Sequence, residues 1–414
     1  MKKIPLLPAI VAAFSLAAVS AFAAKPFEAT ATTVGPLPIT VNASGSSLSD
    51  FISSLINTNG PFAGLNGRAY TASSSFLGVP NAIAFNTNTT GTAVTYTLTP
   101  IGFTRTFTGI SKQAVDDQID AFFKKDGADT IARFLKAIAE KSPLAVTDGN
   151  PNSATALAAS STFVSQGFTP ADEIMATLDD TAPEKPRYGG FGIGFNAGRF
   201  TAGDFDGNNY DFSLTGLNIG LGDSVRLLTP ISLGYLTVSG AKVAGAGINA
   251  VLPMRFSTMS KDKPYNWRFT PIAGISLRGS ADLAGGALLF QVGASNTIDY
   301  KVNPKLVVCM INQLTIHRSI GINYGDYSFN PKVDQQIMKN GLRAVSPLTR
   351  RVIGDFFIVD SRFFKAAAVK GFQTFGGSLS FRATKSFNLS LSANYDTGTR
   401  FKAYSVGMSS AWRW

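Results

Sequence analysis

The sequence predicts an all-β membrane barrel of about 10–12 antiparallel strands, preceded by an N-terminal region of mixed strands and helices. From Tyr188 onward, apolar residues recur at every second position in segments of about 10 residues that are separated by turn residues. No apolar run after residue 23 approaches the roughly 18–20 residues that a membrane-spanning helix needs. The final strand-like segment runs to Trp414 without a polar tail. A crossing of the membrane is therefore expected to use strands.

The first 23 residues have the pattern of a cleaved signal peptide. Lys2 and Lys3 precede an apolar stretch, and Ala21 and Ala23 supply the small residues of a cleavage site. The mature protein is therefore expected to be exported. Its single cysteine, Cys309, excludes an internal disulfide, so stability must come from packing and backbone pairing.

The charge balance changes near residue 186, and this change predicts a domain boundary. Residues 24–186 contain 10 Lys and Arg against 14 Asp and Glu, whereas residues 187–414 contain 25 against 12. The stretch DDTAPEKPRYGG at this point also carries two prolines. We expect an N-terminal region over 24–186 and the barrel over 187–414.

The N-terminal region is predicted to contain helices near 111–142. Ser111 is a suitable N-cap, and apolar residues follow it at helical spacing. A second apolar stripe follows Gly127 and ends before Pro143. The segment 93–107, AVTYTLTPIGFTRTF, is strand-like and fits either this region or a hairpin of the barrel. The region as a whole can be periplasmic, a plug in the lumen, or exposed at the surface.

The barrel is predicted from strands with one apolar face and one small, polar face. The apolar positions are Phe191, Ile193, Phe195 and Ala197 in one segment, Ala246, Ile248, Ala250 and Leu252 in a second, and Phe387, Leu389, Leu391, Ala393 and Tyr395 in a third. In hydrocarbon every backbone donor and acceptor must be paired, so a closed barrel is expected. A soluble sandwich fits less well, because its strands average about 5–6 residues and its polar face is usually charged.

The last segment, YSVGMSSAWRW, resembles the closing strand of Gram-negative outer-membrane β-barrel proteins. Tyr404, Val406, Met408, Trp412 and Trp414 carry the resemblance, because strands of that class end on an aromatic residue after alternate apolar positions. The resemblance implies location in the cell outer membrane and contact with outer-membrane lipid and lipopolysaccharide. It also implies that the barrel-assembly machinery recognises this strand, for which β-augmentation of an unpaired edge gives a physical basis.

Three further expectations concern the strand number and the segments outside the strands. The strand number should be even if both ends of the barrel lie in the periplasm. The stretch 326–354 interrupts the alternation and is predicted to be a long loop. A short helix is predicted near 170–180, with Pro170 in its first turn.

One candidate catalytic pair is His317 with Ser319, which resembles the His-x-Ser strand of outer-membrane phospholipase A and of lipid A deacylases. The imidazole would take the proton of the serine hydroxyl. However, apolar Met310, Leu314 and Ile316 occupy the even positions, so the pair falls on the lumenal face, away from a lipid ester. A lumenal or rim histidine is the preferred interpretation, and no catalytic residue is predicted.

No cofactor, metal or nucleic-acid site is predicted. Asp204, Asp206 and Asp211 invite a calcium interpretation, but Gly207 comes too early and no Glu closes the loop. A polar hairpin loop accounts for them better. One His and one Cys do not suffice for a zinc site.

The basic balance of the barrel gives a last functional indication. Arg255, Arg382 and Arg413 are candidate lumenal residues, and inside a pore they would favour anions. The alternative places Lys and Arg of the barrel in rims near acidic lipopolysaccharide. Both interpretations remain open from the sequence.

Three functions are compatible with these observations. The first is a narrow channel or membrane scaffold whose N-terminal region is a periplasmic module or plug. The second is an autotransporter-like protein in which residues 24–165 form a small surface passenger and the helix near 170–180 passes through the barrel. The third is an outer-membrane lipid hydrolase. The location of the N-terminal region and of the helix distinguishes the first two.

Overall fold

The computed structural model describes residues 24–57, 59–122, 127–166, 190–222, 224–257, 259, 263–324, 327–329, 331–349, 351–365, 367–384 and 386–413. The predicted signal peptide over 1–23, the helix predicted near 170–180 and Trp414 lie outside these residues.

The N-terminal domain is a six-stranded antiparallel sheet with helices on one side, and its strands pair in the order β2-β1-β3-β4-β5-β6. The strands are β1 (Phe27–Thr33), β2 (Thr40–Gly45), β3 (Tyr70–Phe76), β4 (Val79–Thr87), β5 (Ala93–Leu98) and β6 (Phe103–Thr108). The helices are α1 (Leu48–Ile56), α2 (Lys112–Ala121) and α3 (Ala128–Ala139), with 3₁₀ turns at Pro61–Leu65 and Thr99–Ile101. The segment 93–107 therefore belongs to this sheet and not to a barrel hairpin.

Two serines begin helices of this domain. Ser47 accepts a hydrogen bond from the amide of Asp50, and Ser111 accepts one from the amide of Ala114. A side-chain oxygen at this position satisfies a backbone donor that the helix cannot. Ser111 is the cap that the sequence predicts.

Within the ranges given above, a fourth helix and seventeen strands follow. The helix is α4 (Ala154–Gln166). The strands are β7 (Gly190–Ala202), β8 (Phe205–Leu214), β9 (Asn218–Gly220), β10 (Arg226–Leu228), β11 (Ile231–Val238), β12 (Ala241–Val251), β13 (Met254–Ser257), β14 (Tyr265–Ser280), β15 (Gly285–Asn303), β16 (Leu306–Ile320), β17 (Ile322–Tyr324), β18 (Tyr327–Phe329), β19 (Asp334–Pro347), β20 (Val352–Phe363), β21 (Gly371–Arg382), β22 (Phe387–Gly398) and β23 (Phe401–Arg413).

Among the described residues, twelve of these strands close into an antiparallel barrel in the order β7-β8-β11-β12-β14-β15-β16-β19-β20-β21-β22-β23. The last strand pairs with the first from Phe401↔Ala202 to Arg413↔Gly190, and β12 pairs with β14, so the ring is complete. The predicted fold class, an all-β barrel of about 10–12 strands with an N-terminal strand and helix region, is confirmed.

The two ends of the barrel differ. At the capped mouth, where the turns 203–204, 239–240 and 281–284 lie, the barrel packs against the N-terminal domain. At the opposite, terminal mouth, β7 begins at Gly190 and β23 ends at Arg413. Because the strand number is even, both ends of the barrel sequence lie at the same mouth.

The exterior of the barrel is apolar, as the alternation predicts. Phe195, Ile248, Leu277 and Leu314 are each about half exposed on this surface, although they are strongly hydrophobic. Such a surface is stable only if it is covered, and lipid is the natural cover for a closed barrel. None of the helices in the described part of the chain has the length and apolar character needed to cross a bilayer.

Aromatic side chains mark two levels on this exterior. Tyr395 and Tyr404 stack near the capped mouth with ring centroids 4.9 Å apart, and Phe387 and Trp412 lie 4.9 Å apart near the terminal mouth. Eight residues of β23 separate the two levels, which is about 27 Å along the strand. At a strand tilt of about 40° this is about 20 Å along the barrel axis, close to the apolar band of about 25 Å in membrane barrels.

One predicted connection is wrong. The stretch 326–354 was expected to be a long loop, but Asp334–Pro347 forms β19, which pairs with β16 and β20 along its length. Its alternation is inverted in part, because Ile337 and Val345 are buried inside the barrel while Asn340 lies on the exterior face. The lumen is filled at this wall, so apolar side chains are stable on the face that a water-filled pore would make polar.

Candidate functional site

Helix α4 lies inside the barrel. Ala154 at its start packs with Ala287, Leu289 and Val333 near the capped mouth. About two and a half turns later, Phe163 packs with Ile311 and Val359, which face the interior of the barrel. The helix therefore enters at the capped mouth and runs along the lumen for about 20 Å, at 1.5 Å per residue.

Polar groups of three strands, β12, β16 and β19, bond with the helix. Gln313 Nε2 donates to the Ala159 carbonyl oxygen at 3.0 Å and to Thr162 Oγ1 at 3.2 Å. On β12, Asn249 Nδ2 donates to Ser161 Oγ at 3.2 Å. The Oδ1 of Asn249 accepts a hydrogen bond from Gln291 Nε2 of β15.

Lys339 makes the charged contact between the wall and the helix. Its Nζ donates to Ser160 Oγ at 2.7 Å and lies 5.4 Å from the centroid of the Phe163 ring. A buried ammonium is stable only with such partners, since burial without hydrogen bonds is costly. The lumen is thus packed and hydrogen-bonded on the side where the helix meets β12, β16 and β19.

The sequence of α4, ATALAASSTFVSQ, suits this position. Small residues let the backbone approach the wall, and the hydroxyls of Ser160, Ser161 and Thr162 each receive a hydrogen bond from a strand. Ser153 accepts from the amide of Ala156 and so begins the helix. The wall contacts the helix through strands β12, β14, β15, β16 and β19, and on its other side the helix borders a cavity, through residues such as Leu157.

A buried loop ties the start of α4 to the capped mouth. Asp148 accepts hydrogen bonds from Thr155 Oγ1 at 2.8 Å, from the Gly149 amide at 2.7 Å and from Gln335 Nε2 at 3.2 Å. Burial raises the pKa of Asp148 above its ordinary value, although these hydrogen bonds oppose the shift. The Gly149 carbonyl oxygen also accepts from the Val369 amide.

The N-terminal domain closes the capped mouth. The Leu48 amide donates to the Asp282 carbonyl oxygen at 2.7 Å, and Asp129 pairs with Lys332. One continuous apolar cluster joins residues of the sheet, such as Phe27 and Leu98, to residues of the barrel end. The barrel members of the cluster include Phe200, Phe205, Leu236, Val238, Leu283, Phe372 and Phe401.

A cavity of about 730 Å³ lies beside α4, between the helix and the strands β7, β8 and β21 to β23. Arg255 and Arg382, two of the three predicted lumenal basic residues, border it. The third, Arg413, ends β23, and its side chain lies outside the described residues. The cavity is also bordered by Asp211, Asp355 and Asp396, so its wall carries both signs of charge.

The predicted assembly strand is β23. Tyr404, Val406, Met408 and Trp412 all lie on the barrel exterior, with 39% to 63% of each side chain exposed. Trp414 lies outside the described residues. In the closed barrel both edges of β23 are paired, with β22 and β7, so recognition of a free edge would precede closure.

The structure does not assemble a catalytic site from His317 and Ser319. His317 is fully buried on the lumenal face, and its Nε2 bonds with Thr315 Oγ1 at 2.9 Å. Ser319 Oγ accepts from the amide of Val333 at 2.9 Å. Both side chains therefore stabilise the wall near the capped mouth, where lipid does not reach.

The three aspartates of the segment 204–211 do not converge. Asp206 is outside the barrel near Arg199, at 3.9 Å, whereas Asp211 borders the lumenal cavity. Within the described part of the chain no group of three or more His, Cys, Asp or Glu residues is placed to hold a metal ion.

Comparison with known proteins finds distantly similar structures but no family. No protein-family model and no curated protein matches the chain. The β domain of the Bordetella autotransporter Brka is similar, with 15% identity over 55% of this chain and 100% of that chain and a TM-score of 0.40. The translocator domain of the autotransporter NalP from Neisseria meningitidis is also similar, with 12% identity over 63% of this chain and 98% of that chain and a TM-score of 0.40.

An outer-membrane channel from Pseudomonas putida F1 is similar to the same degree, with 10% identity over 57% of this chain and 100% of that chain and a TM-score of 0.41. At these identities and TM-scores the comparison assigns the chain neither a family nor a role.

Proposed function

We propose that this protein is an outer-membrane barrel that anchors its own N-terminal domain at the cell surface, with α4 threaded through the barrel as the tether. This corresponds to the autotransporter-like alternative drawn from the sequence. Among the described residues the lumenal helix is Ala154–Gln166, whereas the helix expected near 170–180 lies outside them.

The observation that supports the proposal is the path of the chain. The N-terminal domain packs on the capped mouth, α4 enters the lumen there, and the first barrel strand starts at Gly190 at the opposite mouth. If the N-terminal domain lay at the terminal mouth, where the barrel strands begin and end, the chain would reach β7 without passing through the lumen. With the terminal mouth in the periplasm, the N-terminal domain faces the outside.

The filled lumen supports an anchor in preference to an open pore. Gln313, Asn249 and Lys339 all bond with α4, and apolar residues pack around Phe163. Opening a pore would break these contacts and leave buried polar groups without partners, which costs about 1–3 kcal/mol each.

A protease experiment on intact cells tests the orientation. A specific cleavage site is inserted in the exposed turn 88–91 between β4 and β5, and a matched site at 304–305 between β15 and β16 in a second strain. Protease added outside is expected to cut the first site only, and both after permeabilisation. Cleavage of the 304–305 site alone, or of neither site in intact cells, would contradict the proposal.

A gated narrow channel is the second candidate, and the cavity of about 730 Å³ next to α4 favours it. Displacement of the helix together with the N-terminal domain, which closes the capped mouth, would join this cavity to both mouths, and Arg255 and Arg382 at its border would then favour anions. Discrete anion-selective steps from the full-length protein in a planar bilayer would support the channel over a purely anchoring role. A silent bilayer would support the anchor.

A further inference from the structure

The outward face of the N-terminal sheet carries two straight rows of small polar side chains. The first row, read across the six strands from β2 to β6, is Asn42, Thr30, Ser73, Ala84, Thr97 and Thr104. The second row is Thr40, Thr32, Thr71, Asn86, Thr95 and Thr106. These twelve residues define the hydroxyl face, and each is exposed or half-exposed.

None of these twelve residues is charged; Glu28 lies on the same side of the sheet, in the adjoining row with Ser44 and Ser75. Exposed sheets are usually kept soluble by Lys and Glu, and about 25–35% of a soluble surface is charged. The β-propensity of threonine accounts for its presence in strands but not for the absence of charge. The opposite face of the sheet is fully used, since Phe27, Ala31 and Leu98 belong to the cluster at the capped mouth.

Neighbouring side chains on this face hold one another in place. Thr30 Oγ1 donates to Asn42 Oδ1 at 2.7 Å, and the hydroxyls of Thr95 and Thr106 lie 3.0 Å apart. The pairs Thr32 with Thr40 and Thr97 with Thr104 are bonded in the same way, at 3.0 and 3.2 Å. β-Branched side chains have few rotamers, so a ligand would order little on binding.

The paired hydroxyls keep capacity for a ligand. A pair of threonines has two donors and four acceptor positions, and one mutual hydrogen bond uses one of each. One donor and three acceptor positions therefore remain per pair, together with the threonine methyl groups. Sugar hydroxyls are also both donors and acceptors, so they match this arrangement, whereas a charged ligand would find no counter-charge.

We propose that the hydroxyl face binds a single chain of a neutral polysaccharide, which lies along the rows. Groups within a row repeat at about 4.8 Å, and the two rows are about 7 Å apart, so successive sugars meet successive strands. Because strands twist by roughly 20–25° each, six strands turn through about 100°, and a flexible single chain can follow this turn while a flat crystalline surface cannot.

The proposal deepens the proposed function, because a surface-anchored domain would meet such a chain outside the cell. The test uses the purified full-length protein in detergent and so does not depend on orientation. If the protein binds no neutral polysaccharide but the protease pattern is as expected, the proposed ligand is wrong and the surface location stands. If it binds a neutral polysaccharide but the protease pattern is not as expected, the surface location is wrong and the ligand stands.

Binding is measured by biolayer interferometry with three soluble neutral polysaccharides, dextran, mannan and hydroxyethyl cellulose, and with dextran sulfate as the charged counterpart. The protein is expected to bind at least one neutral chain with an affinity that changes less than about twofold between 0.1 and 1 M NaCl, since no charge contributes. Binding to dextran sulfate alone, or to none of the neutral chains, would overturn the proposal.

Variants locate the site. Thr71→Lys places a charge in the middle of the face and is expected to weaken neutral binding by at least about tenfold, because the ammonium must be desolvated under the ligand. Thr71→Ala removes only the hydroxyl and is expected to weaken it by about two- to fivefold.

Ser53→Lys, on exposed helix α1, is the matched control and should bind like the unmodified protein. Each variant is checked for the heat-dependent gel shift of a folded barrel. Equal binding by Thr71→Lys and Ser53→Lys would place the ligand elsewhere and contradict the proposal.

Discussion

Replacing Gln313 by Leu should loosen helix α4 without unfolding the barrel. Gln313 is 2% exposed, and its Nε2 supplies hydrogen bonds of 3.0 Å to Ala159 O and 3.2 Å to Thr162 Oγ1. Loss of both is expected to cost about 2 kcal/mol, since each such bond is worth about 1 kcal/mol net. At 1.4 kcal/mol per factor of ten, the population of undocked helix should rise about 30-fold.

Hydrogen exchange followed by mass spectrometry measures this population directly. Amides of Ala154–Gln166 should exchange about 30-fold faster in Gln313→Leu, while amides of β14 and β15 keep their rates, because local opening of the helix leaves the strand pairing intact. Gln336→Leu, on the exterior face of β19, is the matched control and should leave helix exchange unchanged. Equal rates in Gln313→Leu and the unmodified protein would refute a docked lumenal helix.

The loop at Asp148 should make docking depend on pH. Burial raises the pKa of the Asp148 carboxyl group in the folded state above the ordinary 3.8, so the folded loop binds the proton more tightly than the unfolded chain does. Protection of the amides of 144–153 from hydrogen exchange should therefore increase as the pH falls through the raised pKa and decrease as the pH rises through it. Asp148→Asn should flatten this dependence, and protection that grows with pH would contradict it. Asp355→Leu removes the 2.7 Å partner of Arg343 inside the barrel and should destabilise the barrel by about 3–5 kcal/mol, read from its denaturant midpoint, whereas a change below about 1 kcal/mol would show that the ion pair is dispensable. Ser142→Ala removes the 2.6 Å bond to Leu77 O and should lower the stability of the N-terminal domain by about 1–3 kcal/mol in thermal unfolding, with the barrel transition as internal control.

The sequence predicts those strands whose exterior meets lipid and whose interior meets polar groups. Segments such as 387–395 obey this rule, because lipid admits only apolar side chains on the exterior. The facing of β16 follows in the same way, with Met310 and Leu314 outside and His317 inside. In these strands a single physical requirement, the apolar exterior, determines the pattern.

The rule fails where the lumen is filled. In β19 the inward Ile337 packs inside the barrel while the outward Asn340 is polar, so the alternation that identifies a strand is lost. Helix α4 escapes recognition for a related reason. The serine hydroxyls of the helix bond with the wall while apolar Leu157 borders the cavity, so the run from Ala154 to Phe163 shows no amphipathic stripe. The sequence patterns of β19 and α4 are both irregular, because the two elements contact each other where a periodic pattern would require one face to meet water.

The hydroxyl face could have been anticipated in part. Threonine and serine at alternate positions of 70–76 and 93–108 indicate strands with one small polar face. The alignment of these residues into continuous rows depends on the register of six strands, which the sequence does not specify.

A crosslink between the helix and the wall tests whether α4 lies inside the barrel. Ser161 and Asn249 are joined by a 3.2 Å hydrogen bond across the lumen, so cysteines at both positions should be linked by a short bis-methanethiosulfonate in the folded protein. The native Cys309 is fully buried and should not compete. A cysteine pair at Ser380 and Ser390, whose hydroxyls lie 2.8 Å apart on β21 and β22, is the positive control. We expect efficient linkage of both cysteine pairs. Linkage of the strand pair alone would show that the helix does not occupy the barrel.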